Sequence, residues 1–152
     1  MKRKLTLPKK LSIDSGVILA YYLGEDLGKL VKSSLLAPRS GSNYCSRQTI
    51  SELFYMLCRR KGDEFASEAI DTLLKSGYLS VISSDEIDIQ AGRYKCARTI
   101  SLVDCYVLAV AKIQNVPAVF AKREEDVKKE IERKPLDVKL LFLEDYLSAR
   151  IA

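Results

Sequence analysis

Short strand-like runs alternate with helix-length segments along this chain, and that alternation limits the possible fold more than any other feature. The runs at Leu11–Ile13, Tyr44–Ser46, Leu79–Ile82, Pro117–Ala121 and Val138–Leu143 are short and largely apolar. Strands without a polar face belong to sheets covered on both sides, and neighbouring parallel strands need a long, usually helical, connection. The pattern predicts an α/β fold, a three-layer α/β/α sandwich around a mainly parallel central sheet. No repeat, low-complexity run or linker divides the chain, so residues 1–152 are expected to form a single domain with a basic arm at 1–10.

Helices are expected at Ser15–Leu23 and, beyond Gly24, at Glu25–Leu36, with a loop at Pro38–Asn43. In RQTISELFYMLCRRKG the residues Ile50, Leu53, Phe54 and Leu57 fall on one helical face, and Gly62 is a stop. Asp63–Lys75 is a second amphipathic helix with Phe65, Ala69 and Leu73 on its apolar side and Ala66 and Ile70 as further candidates for it, closed by Gly77. Ser83 and Glu86 fit a capping box for the helix that follows. Further helices are predicted at Ser101–Gln114 and Glu124–Glu132.

Composition excludes several chemistries. The chain has no histidine, which removes Ser-His-Asp triads, Cys-His dyads, a histidine base and any His-containing zinc site. Cys45, Cys58, Cys96 and Cys105 form no CxxC pair and sit among apolar neighbours, so they are expected to be buried thiols. A net charge of +5 favours an anionic partner such as nucleic acid. No apolar stretch is long enough to cross a bilayer and no apolar core follows the basic N-terminus, so a cytoplasmic protein without membrane association is expected.

Chemistry must then run on other side chains, and carboxylates stand in telling places. Asp14 follows the first strand, where open parallel sheets place their ligands, and it also fits the N-cap of the next helix. Glu52 points away from the Ile50–Leu53–Phe54–Leu57 stripe, toward a cleft or solvent. Asp104 opens a helix whose Cys105–Ala111 run is entirely apolar, so its charge needs compensation; S-L-V-D also reads as a capping box with Ser101. After the fourth strand the chain reads KREEDV, where Glu124, Glu125 and Asp126 are available and Lys122 and Arg123 are placed to meet a phosphate. Acids gathered at one sheet edge would repel one another unless a divalent cation neutralised them, and oxygen-only ligation suits Mg²⁺ or Mn²⁺. A phosphoacceptor receiver needs paired acids after its first strand, and a haloacid-dehalogenase-type phosphatase needs Asp-x-Asp, where this chain has Gly16.

Taken together, SIDSGVILAYYL, TISELFYML and above all ISLVDCYVLAVAKIQNVPAVFA resemble the PIN-domain nucleases, and within them the VapC toxins of prokaryotic toxin–antitoxin pairs. The likeness runs in matching order from about Leu11 to Leu143. It implies a metal-dependent endoribonuclease in which Asp14, Glu52 and Asp104 are acidic metal ligands, with Ser15 and Ser101 as supporting neighbours and Ser15 holding the Asp14 carboxylate. The family's Thr-x-Asp after the fourth strand is replaced here by Ala121 and Lys122; placing Asp126-Val127 on the family's later Asp-Phe pair puts Glu124 at the fourth acid. Arg47, Arg98 and Lys122 are candidates for gripping an RNA backbone. By resemblance the partners are an RNA substrate, an antitoxin protein and a second copy in a homodimer. An RNA-processing nuclease without an antitoxin and a non-catalytic RNA-binding module are the alternatives on the same fold.

Overall fold

The computed structural model describes residues 6–36 and 43–151. The first half of the basic arm and most of the Pro38–Asn43 loop lie outside the described residues. The five strands are β1 (Leu11–Ile13), β2 (Asn43–Ser46), β3 (Leu79–Ile82), β4 (Ala118–Phe120) and β5 (Leu140–Phe142). All pair in parallel in the order β3-β2-β1-β4-β5, with Ser12 opposite Tyr44 on one side and Ala118 on the other. The helices are α1 (Ser15–Tyr22), α2 (Asp26–Ser34), α3 (Arg47–Lys61), α4 (Asp63–Lys75), α5 (Asp85–Ala97), α6 (Leu102–Gln114), α7 (Glu125–Arg133) and α8 (Leu143–Ile151). This is the expected α/β/α sandwich. Among the described residues no helix is long and apolar enough to cross a membrane.

Each face of the sheet carries its own core, because side chains alternate along every strand. Leu11, Ile13 and Val119 pack on one face with Val17, Leu30, Leu53, Leu57 and Leu73. Ala118, Phe120 and Phe142 pack on the other with Ile87, Val107, Leu108 and Val110. Ser12, buried between Leu11 and Ile13, points to the second face and donates from Oγ to the Val107 carbonyl at 2.8 Å, locking β1 to α6. Helices α1 and α2 approach so closely that a Cβ at Gly28 would lie 2.4 Å from the Ala20 carbonyl oxygen. Only glycine fits that contact.

Several local expectations are corrected. Ser84, not Ser83, caps α5, accepting from the Ile87 amide at 3.2 Å. Phe65 faces outward at 37% exposure, because the buried stripe of α4 is Ala66, Ala69, Ile70 and Leu73. Cys45 and Cys105 are buried thiols, whereas Cys96 is exposed; all four cysteines are free. The fifth strand begins at Leu140 instead of Val138, since its partner β4 offers pairing only from Ala118 onward. Helix α8 is an addition: β5 runs into it with no breaking residue, and its Leu143 and Tyr146 bury into the first core.

Candidate active site

The strand order reverses between β1 and β4, and the crevice beyond their carboxyl ends is where a doubly wound sheet binds its ligands. Asp14 leaves β1 at that crevice, its amide donating to the Val119 carbonyl at 3.0 Å. Its carboxylate does what an N-cap does, with Oδ2 accepting from the Gly16 amide at 3.1 Å. The other oxygen, Oδ1, is buried with no hydrogen-bond partner, and it is alone in this among the described side chains. Capping thus occupies one oxygen of the carboxylate and leaves the other without a partner.

Neighbouring acids act on the same carboxylate. Burial, then the charges of Asp104 and Glu52, push Asp14 up to about 7 against the pull of the Gly16 and Ser15 amides. Asp104, at the start of α6, is pushed up to about 6 by burial, with Glu52 and Glu124 adding to the rise and Ser101 opposing it. Ser101 Oγ accepts from the Asp104 amide at 3.1 Å and so fixes the helix start that carries the acid. Glu52 is half-buried on α3, opposite the Leu53 and Leu57 that bury into the core. Its Oε1 accepts from Ser15 Oγ. Ser15 was expected to hold Asp14; its hydroxyl instead holds Glu52, and only its amide serves Asp14.

Glu124 is the exposed N-cap residue of α7 but makes no side-chain capping bond. Its carboxylate lines the same cleft as Asp14, Glu52 and Asp104, as does Asp126; Glu125 is not among the lining residues. This lobe encloses about 690 Å³ including its open mouth. A second lobe of about 870 Å³ shares Asp14, Asp104 and Glu124 and is bordered by Glu25, Lys122 and Arg60. Arg60 was not foreseen: it belongs to an RRK run at the end of α3 that reads as solvated charge.

Of the three basic residues expected at an RNA backbone, only Lys122 borders the cleft. Arg47 is exposed at the first turn of α3 and lines neither lobe. Arg98 is a correction. Its side chain is 5% exposed, pairs with Glu130 at 3.8 Å and donates to the Pro135 carbonyl at 2.8 Å, so it is a strut between α5 and α7.

The donor set is all oxygen: one buried orphan carboxylate oxygen beside acids that lift one another's pKa. Among the described residues no three acids or thiols converge into a ready-made metal cage. An open set of this kind fits a hard ion that keeps several waters and completes its shell with substrate phosphate, as Mg²⁺ and Mn²⁺ do.

A parallel five-stranded sandwich with acids at the β1/β4 crevice defines a class, and comparison of sequences agrees: the PIN domain family profile matches residues 11–134, and the chain belongs to that family. No curated protein matches the chain significantly. Among solved structures the fold is similar to that of VapC20 of Mycobacterium tuberculosis, described as a sarcin–ricin loop cleaving toxin, at 18% identity and a TM-score of 0.62, covering 86% of this chain and 98% of that one. It is similar also to VapBC-1 of nontypeable Haemophilus influenzae (20% identity, TM-score 0.59, 89% and 98% covered) and to FitAcB of Neisseria gonorrhoeae (15%, 0.58, 89% and 98%).

Proposed function

We propose that this PIN domain is a Mg²⁺- or Mn²⁺-dependent endoribonuclease acting in the cytoplasm as the toxin of a toxin–antitoxin pair. The observation that carries the reading is Asp14: a half-buried residue with one buried carboxylate oxygen left unpartnered, coupled to Asp104 and Glu52 at the sheet's switch point. The chain's likeness to VapC folds, several of them determined as toxin–antitoxin complexes, supports an antitoxin partner; a homodimer belongs to the same proposal.

Asp14, Asp104, Glu52 and Glu124 would hold the cation. When bound, it would supply an activated water and stabilise charge developing on the phosphate and leaving oxygen. The chain's own groups do the rest. Ser15 fixes the Glu52 carboxylate by donating to Oε1, and the Gly16 amide holds Asp14 by Oδ2, leaving Oδ1 without a partner. A methyl group at Gly16 would lie 3.0 Å from Asp14 Oδ2, so this position keeps the carboxylate free to adopt its place. Ser101 fixes the first turn of α6 and with it Asp104. Lys122 and Arg60, on the second lobe, face the path of an RNA backbone and supply the positive charge that the acids lack.

The test is cleavage of single-stranded and structured RNA by the purified protein with Mn²⁺, beside Asp104→Asn. The reading predicts cleavage by the wild type and a loss on the order of 100-fold or more in the variant. Equal cleavage by both would sink it. Tight RNA binding without cleavage by the wild type would favour a non-catalytic module, and toxicity that no neighbouring gene relieves would favour a processing nuclease.

A further inference from the structure

We propose that Arg123 is a positioning residue that latches the turn between β4 and α7 onto the first turn of α8 and thereby presents Glu124 to the acid cleft. The inference rests on reading that cleft as a metal site.

The contacts are dense for so short a segment. The Ala121 carbonyl accepts from the Glu144 amide at 3.1 Å. The Arg123 amide donates to Glu144 Oε1 at 3.0 Å. The guanidinium grips Asp145 with two parallel bonds, Nη1 to Oδ1 at 2.6 Å and Nη2 to Oδ2 at 2.7 Å, and adds a longer contact of 3.3 Å to Glu144. Beneath it lies the Phe142 ring, its centre 4.3 Å from the guanidinium carbon. The anchor itself is rigid, because α8 follows β5 directly and buries Leu143 completely.

Among the described residues, the other supports of this turn are sparse. Glu124 forms no side-chain cap for α7, and that helix buries only Val127 and Glu130. An isolated surface ion pair contributes little to global stability, and Arg123 and Asp145 are each 43% exposed. A bidentate fork combined with a main-chain bond and ring stacking acts differently: it fixes orientation. The sequence match to the family ends at residue 134, so Arg123 lies within it and the anchor that it grips, Glu144 and Asp145, lies beyond it.

The experiment compares wild type, Arg123→Ala, Arg123→Lys and Asp145→Asn, with Lys75→Ala as control for loss of an exposed ion pair. Hydrogen exchange at residues 121–126 is followed without metal, and Mn²⁺ affinity is measured by calorimetry. Arg123→Ala should speed exchange in that segment and weaken Mn²⁺ binding about 10-fold, with Asp145→Asn similar and Arg123→Lys intermediate, because an ammonium cannot form the fork. Unchanged exchange overturns the latch; faster exchange with Mn²⁺ affinity kept within about twofold overturns its role in presenting Glu124. Should Arg123→Ala unfold, Asp145→Asn decides by the same two readouts. A wild type that takes up no Mn²⁺ overturns the reading of the cleft, and exchange alone then judges the latch.

Discussion

The two ends of α7 hold charged side chains in opposite states. At its N-terminal end Glu124 joins Asp14, Glu52 and Asp104, and among the described residues no guanidinium or ammonium is a hydrogen-bond partner of these acids. At its C-terminal end Glu130 accepts from Arg133 at 2.5 and 3.1 Å and from Thr99 at 3.0 Å, and faces Arg98. Arg133, then Thr99, draw Glu130 down to about 2, whereas burial and like charge lift Asp14 to about 7. Glu130 is buried and Asp14 half-buried, so each cluster is built around a carboxylate withdrawn from solvent. The satisfied one is architecture, and the unsatisfied one is, under the proposed function, where the fold tolerates cost for activity.

The sharpest way to break this contrast is Asp104→Asn. Removing one charge from the repelling set should leave stability at neutral pH unchanged or higher, while RNA cleavage falls by on the order of 100-fold. A large drop in melting temperature would instead make Asp104 part of the scaffold. Arg98→Ala should do the reverse, lowering the melting temperature by roughly 5–10 °C because Glu130 loses a buried counter-charge and two carbonyls lose their donor. Activity measured well below that melting point should change far less than in Asp104→Asn.

The difference between these regions also decides what was legible beforehand. Asp14 and Asp104 declared themselves locally, one by following a strand and the other by opening an apolar helix. Arg98 gave no such signal: its partner lies 32 positions away on α7, and a lone arginine after a helix reads as solvated charge. The same holds for Arg123, expected near a phosphate and found gripping Glu144 and Asp145 on a helix hidden behind an unbroken strand-to-helix junction. Element order followed from periodicity, which is local. Ion-pair partners follow from tertiary packing, which is not.

A smaller effect separates the clusters by pH. Asp14 and Asp104 have folded values raised above the ordinary 3.8, so their stabilising contribution is complete below that value and is lost as pH rises through about 6 and 7. Glu130 is lowered from 4.5 to about 2, so its contribution is present above 4.5 and is lost as pH falls toward 2. Metal-free protein should therefore lose stability on both sides of a weakly acidic range, and Mn²⁺ should restore only the alkaline side. Unfolding curves from pH 3 to 8.5, with and without Mn²⁺, check this.

The most direct test is a calorimetric Mn²⁺ titration in buffers of different ionisation enthalpy, which counts protons released on binding. Because Asp14 and Asp104 hold protons near pH 6, cation binding there should expel them, and the release should vanish by pH 8.5 and shrink in Asp14→Asn. No Mn²⁺ binding, or binding with a proton count that neither pH nor Asp14→Asn alters, would contradict the assignment of these acids as a metal site.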